Sequence, residues 1–370
     1  MARRGKNVPI SDSDGRDRGA SLKDLVRLLG LSPTTISLIL NQSPNAKSIP
    51  QATHDKVIAA ARRLNYRPNF LAKSLRSQRS YAIGTIVPEA SDGYASLVVG
   101  GIEDVLIDRG YMYLATSHRH SVRQLELLTR RLWERRVEGL IVVDTPYEIK
   151  TPLPIVSVSG HGAYKGVTNL ILDHEMAADL GIGHLKSLGH RRIAAIQGQP
   201  FSSDTGVRWK AIERAARRHG VPIDPALVVQ LEGDSPSPET GYRAATQLTQ
   251  RGVPFTAVFA FNDVSAFGVI RALEDRGLRV PHSVSVLGFD DVWSAAFHIP
   301  ALTTIRQPLR QMGALAAETL LKRIGRGNAS EYPPVIEVMP ELIVRESTAP
   351  PPDEAETVAN WASHRDRATV

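Results

Sequence analysis

The chain has 370 residues, 42% hydrophobic and 22% charged, with 45 Lys and Arg against 38 Asp and Glu, a net charge of +7, and no cysteine. That length allows two or three domains. The absence of cysteine excludes disulfides and thiolate metal sites, and no apolar run reaches the about eighteen residues that a membrane span requires. The basic excess is local. Residues 1–80 carry 15 Lys and Arg against 5 Asp, a net +10, which leaves −3 for the remainder. A local positive surplus of this kind suits a segment that neutralises phosphates.

Taken in order, residues 1–19 are polar and of mixed charge, lack the apolar segment of a secretory signal, and are read as a disordered tail. Residues 20–68 carry three short amphipathic patterns. Ser21 and Asp24 form a capping-box pair ahead of an apolar face at Leu22, Leu25, Val26 and Leu29. Gly30 can end that helix, and Ser32 with Pro33 can cap and start the next. The second helix buries Ile36, Ile39 and Leu40 and leaves Thr34, Ser37, Leu38 and Asn41 on its other face. Thr53, Val57, Ala60, Ala61 and Leu64 mark a third helix. An ordinary helical bundle would satisfy these patterns too, but the local charge favours a helix-turn-helix that enters a DNA groove.

Residues 69–80 form a linker. Arg67-Pro68-Asn69 breaks the third helix, and Asn69 can cap about two further turns from Phe70 to Arg76, too short to be stable alone in water. From residue 81 to 345 apolar strands alternate with helices. Strands are expected at Ala82–Val87, Met112–Thr116, Gly139–Val143, Ile155–Val158, Asn169–Leu172, Ile193–Gln197, Ala257–Ala260 and Val284–Gly288. Helical patterns intervene, which implies parallel sheets covered on both faces. The span is too long for one doubly wound unit, so two lobes are expected, with a ligand cleft at the carboxyl ends of their strands. Residues 346–370 contain a proline run and no periodicity and read as a disordered tail, in which Trp361 is weak evidence of a contact.

The string Ser32 to Asn41, then Leu64-Asn-Tyr-Arg-Pro-Asn69 and Ala72 to Leu75, resembles the DNA-binding head of the lac repressor (LacI/GalR) family. Four later strings continue the resemblance: Leu188 to Ile193, Phe261-Asn262-Asp263, Gly288-Phe-Asp-Asp291 and Pro300 to Pro308. The resemblance implies a multidomain protein, with an all-α three-helix head joined to an α/β two-lobed, periplasmic-binding-protein-like core of parallel sheets. The chain should cross between the lobes near Leu172, near Pro300 to Gln307, and once more near the end of the core. It also implies a transcriptional regulator, expected to be a repressor of carbohydrate-utilisation genes, cytoplasmic and associated with the nucleoid. Its partners would be a palindromic double-stranded operator, a second copy of the chain, and a small-molecule effector, a sugar or sugar derivative, between the lobes.

DNA contacts then fall on Ser32, Pro33, Thr34, Thr35, Ser37, Leu38 and Asn41, with Ala72 and Leu75 in the linker. The linker helices would order in pairs, and Leu75 would wedge between base pairs in the minor groove. Effector contacts fall on Tyr94, Arg208, Asn262, Asp263 and Asp290; Gln307 is expected to be structural. Two departures stand out. Leu38 occupies a position where the family often has arginine, so an apolar contact such as a thymine methyl replaces a guanine bond. Ser159-Gly160-His161-Gly162 stands in place of an acidic or amide group, so the usual sugar contact on that side is not expected as such; His161 can substitute as a donor or be a solvated loop histidine.

A regulator governed by a protein partner, or by no ligand, is the main alternative. An enzyme is less well supported, since no phosphate loop or nucleophile elbow occurs, and Gly181-Ile-Gly183 lacks the third glycine of a dinucleotide fingerprint. No catalytic residue, cofactor or metal is assigned; His118 and His120 lack further ligands close by in sequence.

Overall fold

The computed structural model describes residues 20–41, 43–66, 74, 78–89, 93–145, 148–234, 236–326, 332–357, 359 and 361. They fall into two compact units that meet at Arg79 and Ser80. The expected N-terminal tail, the linker helix with Ala72 and Leu75, and residues 362–370 lie outside the described residues.

The first unit contains helices α1 (Leu22–Leu29), α2 (Pro33–Leu40) and α3 (Gln51–Arg63). Asp24 accepts hydrogen bonds from the Ser21 amide at 2.9 Å and its hydroxyl at 2.7 Å, which holds the start of α1. Gly30 ends it at φ 65°, in the left-handed region that a side chain disfavours. Ser32 then caps α2 by accepting from the Thr35 amide at 3.0 Å. Leu25, Ile36, Ile39 and Val57 are buried together with Ala60 and Ala61, so one small apolar core unites the three helices.

The second unit is built on two six-stranded sheets. The first lobe holds β1 (Ala82–Val87), β2 (Met112–Ser117), β3 (Leu140–Val143), β4 (Ile155–Val158), β5 (Val167–Leu172) and β11 (Val335–Val338), all parallel, in the order β11-β5-β4-β3-β1-β2. The second holds β6 (Ile193–Gln197), β7 (Val228–Gln230), β8 (Ala257–Phe259), β9 (Ser285–Asp290), β10 (Thr303–Arg306) and β12 (Glu341–Ile343), in the order β12-β10-β9-β8-β6-β7. Only β12 there runs antiparallel, against β10. Continuous apolar strands such as Leu140–Val143 are buried on both faces because helices cover both sides. These helices are α4 (Gly93–Asp108), α5 (Val122–Glu134), α6 (His174–Ser187), α7 (Ser203–Arg218), α8 (Pro238–Gln250), α9 (Asp263–Glu274) and α10 (Leu309–Arg326).

The chain passes between the lobes three times: after β5 at Asp173, after β10 at Gln307 and Pro308, and between β11 and β12. Helix α10 returns to the first lobe and packs on α4 with almost no separation. A Cβ on Gly101 would lie 1.8 Å from the Arg310 carbonyl oxygen, and one on Gly313 would lie 2.0 Å from that of Val98.

Sequence reading located eight strands and missed β7, β10, β11 and β12. These are three or four residues long and lack the apolar run of a central strand. The C-terminal segment requires a correction, because Ser347 to Ala349, Thr357 and Trp361 pack on the core rather than forming a free tail, while residues 353–356 are exposed. Ser347 is fully buried, donates to the Val286 carbonyl at 2.6 Å and accepts from the Thr303 amide at 2.8 Å. Trp361 is only 4% exposed and meets Phe255 edge-on at 4.8 Å. Such a segment is held by backbone pairing and one large anchor, neither of which produces a periodic pattern.

Candidate DNA-binding head and inter-lobe cleft

In the head, α2 presents one apolar face to the core and turns the other outward. Ser32, Pro33 and Thr34 are exposed, and Thr35, Ser37 and Leu38 are partly so. The exposed set lies at the N-terminal end of the helix, where a recognition helix contacts base edges. Asn41 has a local role as well, since its side-chain amide donates to the Ser37 carbonyl at 2.7 Å and so closes the last turn. Ser32 is likewise both a cap and part of the outward face.

In the core, a cleft opens where the carboxyl ends of strands from both lobes converge. Tyr94, Arg208, Asn262 and Asp290 line it, as does the unexpected pair Asp144 and Asp204. Arg208 is 97% buried by exposure, its side chain extended across two rings. The guanidinium lies 3.7 Å from the Phe289 ring centre and 4.5 Å from that of Phe261. Its Nη1 donates to the Phe261 carbonyl at 2.6 Å and its Nη2 to Asp204 at 2.9 Å. The Nε has no hydrogen-bond partner among the described residues.

Asp204 collects three donors from both lobes. Beyond Arg208, His161 stands 2.7 Å and His174 3.3 Å from its Oδ1. Burial pushes this carboxyl up, but His174, the hydrogen bonds of both histidines and Arg208 together hold it well below the usual range. Asp290, by contrast, is raised well above that range by burial, which Arg208 only partly offsets. Gln307 donates to it at 2.6 Å from the second crossover, the structural position expected of that glutamine. The Tyr94 hydroxyl donates to Ser159 at 2.6 Å, and its own ionisation is pushed well up by burial, then by Asp204 and Asp144.

Asn262 caps α9, its Oδ1 accepting from the Ser265 amide at 2.9 Å, and also faces the cleft. Asp263 does not line it. Fully buried, it accepts from the Thr304 hydroxyl at 2.6 Å and the Val292 amide at 2.8 Å, and burial raises it to about 7. A Cβ at Gly288 would come within 2.3 Å of its carboxylate, so Gly288 leaves room for this knot beneath β9. The expected effector contact at Asp263 is therefore corrected to a structural one.

Asp144 gave no sign in the sequence. It follows β3 and accepts from the Ser203 amide at 2.8 Å, the Ser203 hydroxyl at 2.5 Å and the Ser202 hydroxyl at 3.3 Å. These serines belong to the second lobe, so Asp144 bridges the cleft onto the first turn of α7, where an anion is favoured. Burial first and Asp204 second push it up to about 6. The Ser203 hydroxyl also faces the Ser159 carbonyl and shares its one proton with it. Asp144, Ser159 and Asp290 all adopt positive φ, of 40°, 54° and 111°. Non-glycine residues held there cost about 1–3 kcal/mol each and gather at ligand sites. At the mouth, His120 from the first lobe stacks on Phe201 from the second with ring centres 3.6 Å apart. The space left inside is about 50 Å³, far below the about 300–1,000 Å³ of ligand pockets. The lobes are drawn together by the protein's own side chains.

Comparison with known proteins adds a second line. The family model for bacterial regulatory proteins of the lacI family matches residues 21–69, and a periplasmic binding protein-like domain matches residues 182–348. The HTH-type transcriptional repressor PurR of Yersinia pestis bv. Antiqua (strain Antiqua) is 35% identical over 344 residues, covering 90% of this chain and 98% of the relative. Among solved structures, the lac repressor dimer bound to operator and the anti-inducer ONPF is similar at 28% identity and a TM-score of 0.79, over 90% of this chain and 100% of that one. The transcriptional regulator CelR in complex with cellobiose is similar at 26% identity and a TM-score of 0.66, over 89% and 99%.

Proposed function

The chain belongs to the lacI family of bacterial regulatory proteins, a DNA-binding transcriptional repressor with an effector-binding domain, and from that premise we propose how its two units divide the work. The head grips a palindromic operator as one half of a homodimer, Thr34, Thr35, Ser37 and Leu38 reading the major groove while Ser32 and Pro33 fix the helix start. Leu38 favours an apolar contact, so the half-site carries a thymine methyl where an arginine would select guanine. Ala72 and Leu75 act in the minor groove at the dyad. Support for a dimer comes from Trp293, Phe297 and Ile299, which are 73%, 84% and 89% exposed within one short stretch. Large apolar side chains clustered on a surface mark an association site, and the lac repressor relative is described as a dimer.

The effector occupies the inter-lobe cleft and is a sugar or sugar derivative. One observation carries this reading: the cleft gathers three carboxyl groups, Asp144, Asp204 and Asp290, around a single guanidinium. Carboxyl groups at that density, able to accept and where protonated to donate, suit a ligand with many hydroxyls. Arg208, Asp290, Asn262 and Tyr94 supply the polar contacts, and Phe261 an aromatic face. The CelR relative is described with cellobiose. A purine-related effector is the second reading, favoured by the name of the 35%-identical PurR repressor. A heterocycle offers fewer donors to these carboxylates, so it ranks second.

Two measurements test this. Operator sites selected from random DNA should be palindromic, and fluorescence anisotropy on such a site should respond to a ligand panel of mono- and disaccharides beside purine bases and nucleosides. Arg208→Ala should abolish the response while leaving ligand-free operator affinity unchanged. A response to purines alone would refute the sugar assignment, and selected sites without two-fold symmetry would refute the dimer.

A further inference from the structure

Behind the mouth of the cleft, two imidazoles and one carboxylate converge from both lobes. His161 follows β4 in the first lobe; His174 begins α6 and Asp204 lies in the first turn of α7, both in the second. Their candidate ligand atoms all fall within 4.8 Å of one another, the one such grouping among the described residues. His174 and Asp204 are buried, and the His161 side chain is 17% exposed.

We propose that His161, His174 and Asp204 form a divalent metal site of the zinc class that fastens the two lobes together. The donor set is the first reason. Imidazole nitrogen and carboxylate oxygen suit zinc, and three protein ligands leave a fourth position for water or an oxygen of a bound molecule. Geometry is the second. Zinc holds nitrogen and oxygen at about 2.0–2.1 Å, so tetrahedral donors stand about 3.3–3.4 Å apart. The His174 Nε2 to Asp204 Oδ1 distance is 3.3 Å and that of His161 is 2.7 Å, so admitting an ion widens the His161–Asp204 pair by about half an ångström and sets the two imidazoles at the same spacing from each other.

The outer partner of the carboxylate is in place, while the Nδ1 of His174 has no hydrogen-bond partner among the described residues. Arg208 holds Asp204 through Oδ2 and leaves Oδ1 to the imidazoles, the role of an outer partner that orients a ligating carboxylate. Magnesium, which demands octahedral oxygen, is the wrong ion for two imidazoles. Because His161 comes from the opposite lobe, binding would favour the closed core whether or not an effector is present.

The test uses the full chain with any affinity tag removed, stripped with a chelator and titrated with zinc by calorimetry and with cobalt by visible absorption. The expected result is one ion per chain and a cobalt spectrum of imidazole ligation. His161→Gln, which keeps a donor for Asp204, and His174→Gln should each weaken zinc binding by more than the about 10–100-fold that loss of an outer partner costs, while His120→Gln should not. Circular dichroism confirms that the variants fold, and the loop position of His161 makes its variant the safer of the two. Absence of saturable zinc binding in the wild type, or unchanged affinity in a folded His161→Gln variant, would overturn the site.

Discussion

Replacing His190 with glutamine should change how the core responds to acid. His190 is 1% exposed. Its Nε2 lies 3.0 Å from the Ala349 carbonyl, so that nitrogen carries the proton, and its Nδ1 then accepts from the Thr256 hydroxyl at 2.9 Å. Burial holds the ring neutral, lowering its pKa from the usual 6.5 to about 4. A folded value below the unfolded one means that the unfolded chain takes up a proton first as pH falls. The contribution is therefore complete above pH 6.5 and lost progressively down to about pH 4. At about 1.36 kcal/mol per pH unit, the whole interval is worth about 3 kcal/mol, and about 2 kcal/mol of it is lost by pH 5. Urea unfolding of both forms at pH 7.5, 6, 5 and 4.5 isolates this group, since the other titrating groups are common to both. His190→Gln should be the less stable form at pH 7.5, and the gap should narrow by about 2 kcal/mol at pH 5. A gap that stays constant with pH would show that His190 does not remain neutral in the folded core.

Trp361→Ala should lower the unfolding midpoint by an amount equivalent to about 3 kcal/mol, the usual cost of truncating a buried aromatic; an unchanged midpoint would mean that the C-terminal segment does not anchor on Phe255. Gly313→Ala places a methyl 2.0 Å from the Val98 carbonyl oxygen and should destabilise the first lobe by about 1–3 kcal/mol or more, read as earlier thermal unfolding. Asp144→Asn removes a carboxyl whose folded value is raised to about 6 by burial and then Asp204. A raised folded value means that the folded state takes the proton first, so this carboxyl's favourable contribution is lost as pH rises through 6. Measured against the wild type, the variant should gain stability as pH rises from about 4 to 6 and no further above about 7, and a difference independent of pH would refute the cause given.

The sequence made some of this legible and hid the rest for identifiable reasons. Caps and periodic faces are local, so Ser21 with Asp24, Gly30 and Ser32 could be placed before any tertiary contact was known. Strands buried on both faces announce themselves as apolar runs, whereas β10 and β12 pair only because a crossover brings them together. The same limit governs the cleft. Arg208 and Asp290 sit in recognisable strings, and both line it. Asp263 sits in one of those strings too, but its neighbours Thr304 and Val292 arrive from distant parts of the chain and absorb both of its oxygens. Asp144, flanked by Val143 and Thr145, gave no pattern at all. Its role depends on Ser202 and Ser203 from the other lobe. His161 gave no sign of its role for the same reason, because its partner Asp204 is 43 residues away in sequence.

The bridged cleft constrains how an effector can act. Asp144 with Ser203 and His161 with Asp204 join the lobes without any ligand, and hydrogen bonds to charged groups are worth about 1.5–3 kcal/mol each. A ligand that entered by separating these pairs would lose that energy, unless its own hydroxyls took over the freed carboxylates. A polyol can do so, placing donors on Asp144 and Asp204 together, and would then stabilise a closed core of slightly wider spacing. Its influence on DNA is limited to the difference in its affinity for the two arrangements, however tightly it binds either. By linkage the operator must change ligand affinity by the same factor. Titrating the same ligand with and without operator therefore measures the coupling directly. Identical affinities would sever the cleft from the head, even if both sites bind as described.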